Sequence, residues 1–137
     1  IYGYDDNDIL NGGSGKDTLR GGNGDDTLNG GGNRDRLFGE AGADEFLFTA
    51  DSAFNDLVFI RDFNAAEGDT INIEDLLSGF DAEQNDINDF ISFTETATDS
   101  YLWVNPDGSS EFTIVARIYN NTGLDAETMV QDGELII

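Results

Sequence analysis

GGSGKDTLR (residues 12–20), GGNGDDTLN (21–29), GGGNRDRLF (30–38) and GEAGADEFL (39–47) follow one another without a break. One frame earlier stands GYDDNDILN (3–11). All five nine-residue frames open on glycine, at Gly3, Gly12, Gly21, Gly30 and Gly39. All carry aspartate at position 6: Asp8, Asp17, Asp26, Asp35 and Asp44. All carry a large apolar residue at position 8: Leu10, Leu19, Leu28, Leu37 and Phe46. A flexible glycine-rich linker has no reason to keep an apolar side chain at every ninth place, so the array is read as a repeat architecture. Ile1 falls at position 8 of a preceding frame, and the array is expected to continue upstream.

The frame has a physical logic. Glycines at positions 1, 2 and 4 allow a tight turn with positive φ. The three residues that follow run extended, with position 8 inward and its neighbours outward. Two frames then make one coil with a short strand on each of two walls, and successive coils stack as parallel strands about 4.8 Å apart. The spacing predicts Leu10, Leu28 and Phe46 in one wall and Leu19 and Leu37 in the other. One buried aliphatic side chain per frame, worth about 1.5–3 kcal/mol, is too little to order nine residues rich in glycine. The stacked turns offer a remedy. Their aspartates and outward-turned carbonyls form an all-oxygen cage, which suits Ca²⁺ with its six to eight hard ligands. Mg²⁺ demands a smaller octahedron, and Zn²⁺ prefers N and S ligands; the chain has neither histidine nor cysteine.

Charge narrows the partners. With 29 acidic against 6 basic residues, the chain carries a formal net charge of −23. Nucleic acid and anionic membrane surfaces would be repelled, so cations are the expected partners. Without cysteine there is no disulfide framework, and without histidine the commonest general base is missing. No apolar run approaches a membrane span, so no membrane insertion is expected. Because it does not begin with Met, the chain is read as a piece of a larger protein. Two decoys fail on their spacing. Gly15-Lys16-Asp17 lacks the rest of a phosphate loop. Asp5-Asp6-Asn7-Asp8 lacks the glycine and closing glutamate of an EF-hand. Carboxylate pairs abound, but none is singled out as a glycosidase pair.

From about Phe48 glycine becomes sparse, and β-branched and aromatic residues gather in short runs. Strands are expected at 57–60, 70–73 and 90–93. A hairpin of 101–104 and 112–119 is expected across Asn105-Pro106-Asp107-Gly108, with helical turns at 73–77 and 126–130. The expectation is a mainly all-β chain: a parallel β-roll over 1–47, then a β-rich capping region over 48–137 with one or two short helices. A cap is needed because the last coil would otherwise leave a strand edge open.

The frame GGxGxDx(L/I/F)x resembles the repeats-in-toxin (RTX) nonapeptide, and the resemblance covers residues 1–47. Downstream, DLVFIRDF (56–63) and EGDTINI (67–73) resemble the segment that ends such arrays in type I secretion substrates. LLSG (76–79) and GELII (133–137) are similar to the C-terminal region of large RTX adhesins. The resemblance implies a right-handed parallel β-roll with several Ca²⁺ ions between turns 18 residues apart. Carried onto this chain, it implies one ion shared by Asp8 and Asp26, with carbonyls of Tyr4, Asp6, Gly21 and Asn23. A second would be shared by Asp17 and Asp35, with Gly13, Gly15, Gly30 and Gly32. A third would be shared by Asp26 and Asp44, with Gly22, Gly24, Gly39 and Ala41. A fourth would join Asp35 to the degenerate turn around Asp51, helped by Asp56. The implied function is a calcium-dependent folding and secretion module of a secreted or cell-surface bacterial protein, an adhesin exported by the type I secretion machinery. The alternative is the tail of a secreted protease or lipase. Neither a Gly-x-Ser-x-Gly nor a His-Glu-x-x-His motif occurs, so the chain is not expected to be an enzyme or to take a small-molecule substrate.

Overall fold

In the computed structural model, which describes residues 1–50, 57–109 and 111–137, the nonapeptides form two facing walls. Strands β1 (Tyr2–Asp5), β3 (Thr18–Asn23) and β5 (Arg36–Ala41) build one wall, and β2 (Ile9–Asn11), β4 (Thr27–Asn29) and β6 (Glu45–Leu47) the other. Neighbours within a wall are parallel and sit 18 residues apart: Leu19 opposite Leu37, and Leu10 opposite Leu28 opposite Phe46. The wall assignment read from the spacing is therefore the observed one. Each frame presents a single large apolar side chain to the interior because the extended stretch at positions 7–9 has room for only one inward position. Leu19, Leu28, Leu37 and Phe46 are all but fully buried.

Both walls run on past the repeats. β7 (Val58–Ile60) lies parallel to β5 and places Ile60 opposite Leu37. β8 (Thr70–Asn72) lies parallel to β6 and places Ile71 opposite Phe46. The first sheet continues through β11 (Thr113–Ile118), β10 (Ser100–Val104) and β9 (Ile91–Glu95), giving the order β1-β3-β5-β7-β11-β10-β9 among the described residues. β10 and β11 are the expected antiparallel hairpin, with a bulge between Leu102 and Trp103. The second sheet ends in β12 (Leu135–Ile136), parallel to β8 with Leu135 opposite Ile71.

β12 is delivered by the one α-helix among the described residues, α1 (Ala126–Asp132). Asp125 caps its N-terminus by accepting from the Thr128 N–H at 3.0 Å, a bond worth about 1 kcal/mol. Gly133 ends it in the left-handed conformation, φ 82°, and the Glu134 N–H returns to the Met129 carbonyl at 2.9 Å, a Schellman-type stop. Ala126 and Met129 face the core. The helical turn expected at 73–77 is a 3₁₀ turn at Glu74–Leu76, and a second, unforeseen one spans Ile87–Asp89. One continuous apolar cluster runs from Leu10 to Leu135, a single file in the repeats and a thicker core where β7–β12 and α1 meet.

A candidate metal centre between stacked turns

The turns share one backbone pattern. Position 2 has positive φ in all five frames: Tyr4 82°, Gly13 81°, Gly22 123°, Gly31 82° and Glu40 73°. So does position 4: Asp6 75°, Gly15 127°, Gly24 128°, Asn33 81° and Gly42 140°. Left-handed backbone costs an L-residue roughly 1–2 kcal/mol, so Tyr4 and Glu40 are held there by the stack and not by their own preference. Alternating hand along positions 1–4 turns successive carbonyls toward the neighbouring coil.

The position-6 aspartates link the layers. Oδ1 of Asp26 accepts the Asp8 N–H at 2.8 Å, Oδ1 of Asp35 that of Asp17 at 2.8 Å, and Oδ1 of Asp44 that of Asp26 at 2.9 Å. The other oxygen behaves differently. Among the described residues, Oδ2 of Asp8, Asp17, Asp26 and Asp44 is buried with no hydrogen-bond partner. An ionised carboxylate oxygen held out of water in this way is costly unless a cation or a donor answers it.

The orphaned oxygens of Asp8, Asp17 and Asp26 each face a carbonyl from the next coil across a glycine that has no room for a Cβ. A Cβ on Gly3 would stand 2.5 Å from both Asp8 Oδ2 and the Gly21 carbonyl. One on Gly12 would stand 2.5 Å from the Gly30 carbonyl and 3.1 Å from Asp17 Oδ2. On Gly21 it would stand 2.7 Å from the Gly39 carbonyl and closer still to Asp26 Oδ2. Position 1 is thus glycine because carboxylate and carbonyl oxygens converge there.

Of the residues named from sequence, Asp8 and Asp26, Asp17 and Asp35, and Asp26 and Asp44 are brought together through N–H to carboxylate bonds. The Gly13, Gly32 and Ala41 carbonyls each already accept a turn-to-turn N–H, from Gly32 (2.8 Å), Gly15 (3.2 Å) and Gly24 (2.9 Å); a carbonyl keeps a second lone pair in such a bond. Asp51 and Asp56 lie outside the described residues. Among the described residues no three His, Cys, Asp or Glu side chains gather as a metal site. An ion between these turns would therefore take most of its oxygens from the main chain. That set, hard oxygen donors of mixed carboxylate and carbonyl type, fits Ca²⁺.

Two residues outside the repeats complete the ladder. Asp69 Oδ1 accepts the Asp44 N–H at 3.0 Å, continuing the series, but its Oδ2 accepts the Asn64 N–H at 2.8 Å. The column of orphaned oxygens ends where a protein N–H takes the cation's side of the bargain. Asp62 accepts the N–H groups of Gly39 (3.0 Å) and Glu40 (3.1 Å), anchoring the last repeat turn. Sequence reading missed the role of Asp69, although a signal was present. Asp69-Thr70-Ile71-Asn72 repeats Asp26-Thr27-Leu28-Asn29 without the glycine turn. Like Asn11 and Asn29, Asn72 accepts an N–H from two residues on. Burial raises the carboxyl pKa of Asp26, Asp62 and Asp69, and that of Asp44 to about 6, with neighbouring carboxylates adding to the rise.

The family model of the RTX calcium-binding nonapeptide repeat, as four copies, matches residues 1–19 and 11–46. The chain is also similar in fold to the solution structure of the AlgE6R3 subunit from the Azotobacter vinelandii mannuronan C5-epimerase. That similarity has a TM-score of 0.50 at 23% identity, and it covers 98% of this chain and 80% of that one. No curated protein matches the chain. The fold and the repeated turns define a parallel β-roll of the calcium-binding class. Residues 1–46 are an RTX β-roll region, whose nonapeptides are calcium-binding repeats.

Proposed function

We propose that this chain is a calcium-dependent folding module at the C-terminal end of a large secreted bacterial protein, with ions held between turns 18 residues apart. The observation that carries this reading is the column of buried, unanswered Oδ2 atoms on Asp8, Asp17, Asp26 and Asp44. The first ion would be held by Asp8 and Asp26 with Tyr4, Asp6, Gly21 and Asn23. The second would be held by Asp17 and Asp35 with Gly13, Gly15, Gly30 and Gly32, and the third by Asp26 and Asp44 with Gly22, Gly24, Gly39 and Ala41. Bound calcium supplies the positive charge that lets these carboxylates leave water. The chain's own residues fix the geometry: position-1 glycines leave the space, and positions 2 and 4 turn the carbonyls.

Where calcium is scarce, the net charge of −23 opposes compaction and keeps the repeat region unfolded. At the millimolar calcium found outside cells, extracellular-type sites fill. Each ion that binds only the folded chain then adds about 2.7 kcal/mol at a hundredfold excess over its Kd. In this reading residues 48–137 cap the roll and carry the region addressed by the type I secretion machinery, and the parent is an adhesin. A second reading, the non-catalytic tail of a secreted enzyme, gains from one observation: the similar AlgE6R3 fold is a subunit of an enzyme.

Circular dichroism titrated with Ca²⁺ and separately with Mg²⁺ tests the module. A cooperative gain of β signal is expected with Ca²⁺ alone. Asp26→Ala should raise the calcium midpoint at least tenfold, and more than Asp8→Ala, because the Asp26 carboxylate would serve two of the proposed ions and its Oδ1 also accepts the Asp8 N–H. Equal folding in calcium-free buffer would overturn the reading.

A further inference from the structure

Among the described residues the seven-stranded sheet ends at β9, which pairs with β10 on one side alone. That pairing leaves alternate main-chain groups unused. The Asn105 N–H donates to the Phe90 carbonyl at 2.8 Å, and the Thr96 N–H to the Asp99 carbonyl at 2.9 Å. Residues 90 and 96 thus lie in hydrogen-bonded pairs at the two ends of the ladder. In an antiparallel ladder such pairs alternate with pairs that exchange no bonds. The register is unbroken, from Ile91 opposite Val104 to Glu95 opposite Ser100. Ser92 and Thr94 therefore bond to β10, while the N–H and C=O groups of Ile91, Phe93 and Glu95 point away from it. Among the described residues, no turn or loop main-chain group bonds to the main chain of these three. β9 also lacks the devices that keep an edge from pairing. Its sequence, Ile-Ser-Phe-Thr-Glu, holds no Pro, Lys or Arg, and it has no bulge against β10. Its one charged side chain, Glu95, is turned to the Gly123 N–H at the end of the strand.

We propose that β9 is a docking edge for an extended basic segment of a protein partner, which adds a further strand to the sheet. Main-chain bonds to Phe93 and Glu95 give such a strand its affinity, and alternate side chains give it specificity. A hollow of about 190 Å³ lies along the edge, between Ser92 and Phe93 on the strand and Leu124, Asp125 and Ala126 where α1 begins. Phe93 packs against the core beside Ile91, so the incoming strand meets an apolar surface on that side and can seat an apolar side chain there. Charge selects the rest of the segment. Asp86, Asp89 and Glu95 lie on or just before β9, and Asp125 and Glu127 at the start of α1; none of the six basic residues falls in 86–95 or 122–132. Lysine or arginine at the alternate positions of the incoming strand complements this field. A second copy of the chain would bring the same carboxylates and a charge of −23 against themselves.

The experiment is residue-resolved amide exchange of the whole chain in excess calcium, with and without a blocked peptide alternating lysine and valine. Exchange at Phe93 and Glu95 should slow at least tenfold, while Ser92 and Thr94, already bonded to β10, change little. Binding should weaken with salt. The same peptide N-methylated throughout keeps its side chains and charge but has no N–H to give, and should bind at least tenfold more weakly. A peptide alternating glutamate and valine should not bind. Phe93→Pro deletes the central outward N–H, leaves the bonds to β10 in place, and should weaken binding at least tenfold. Ser92→Lys keeps the whole ladder, adds a like charge beside the hollow, and should weaken binding several-fold with an unchanged calcium-induced circular dichroism signal. The proposal is overturned if exchange slows equally at all four amides or at none, or if the N-methylated or the acidic peptide binds as well. Slowing at Phe93 and Glu95 without peptide, growing with protein concentration, would overturn it in favour of a second copy.

Discussion

The two halves of this chain solve the burial of charge in opposite ways. In the repeats, Asp26 and Asp44 are about 1% exposed and each keeps an oxygen without a donor. In the C-terminal half, Asp69 and Asp99 are 3% exposed, and the protein itself answers them. Asp69 takes the N–H groups of Asp44 and Asn64, while Asp99 takes the Arg117 guanidinium and the Asn120 N–H. The difference follows core thickness. A nine-residue frame contributes one inward side chain, whereas β7–β12 and α1 pack Phe63, Ile73, Leu76, Phe90, Leu102, Val115 and Met129 against one another. Where apolar burial suffices, a carboxylate can be given a covalently tethered partner. Where it does not, the carboxylates become the means by which an ion supplies the missing stability.

The sharpest way to break this contrast is to remove calcium. Hydrogen exchange in chelator should show amides of 9–47 losing nearly all protection, while those of β9–β11 stay slow; uniform loss or uniform retention would erase the distinction. Next in size is Leu102→Ala. Leu102 is fully buried, and its truncation should cost about 2–5 kcal/mol in thermal or denaturant unfolding of the C-terminal half. The calcium midpoint of the repeats should move little.

A smaller and more local effect separates two glycines. Gly21→Ala puts a methyl group among Asp26 Oδ2 and the Gly39 carbonyl and should raise the calcium midpoint at least tenfold, about 1.4 kcal/mol. Gly32→Ala, with nothing within 4 Å of its Cβ, should change it by less than about 0.5 kcal/mol. The smallest expected effect is on pH. In the metal-free fold the carboxyls of Asp26, Asp44, Asp62 and Asp69 have raised pKa, Asp44 to about 6, so the folded state binds more protons than the unfolded. Stability of the calcium-free chain should therefore rise as pH falls from 7 through about 6 toward 4, and be lost as pH rises through the same window. Calcium affinity should fall over that interval because protons compete for the same oxygens. Melting in calcium-free buffer at pH 5 and pH 7, set beside calcium titrations at both, checks the pair of signs.

Legibility also divides between the halves. In the repeats, the column of Leu10, Leu28 and Phe46 and that of Leu19 and Leu37 could be assigned to walls by counting, and the counted partners are the paired ones. Past Phe48 the period breaks. Local patterns still located the β10–β11 hairpin and α1. That β11 would lie parallel to β7, or β12 parallel to β8, was not readable, because those pairings join segments with no common period. Asp69 marks the boundary: its Asp-Thr-Ile-Asn context was visible, but the donor that closes its second oxygen, Asn64, is set by a turn outside the frame.

By itself the amino-acid order determined the coil length, the inward file of apolar residues and the aspartate column, because a strict nine-residue period turns a local rule into a global one. Only the tertiary structure decided which carboxylate oxygens remain unanswered, where that column stops, and that β9 is left as an open edge. Those outcomes depend on neighbours 18 or more residues away and on the strand order beyond the repeats, and no local preference specifies them.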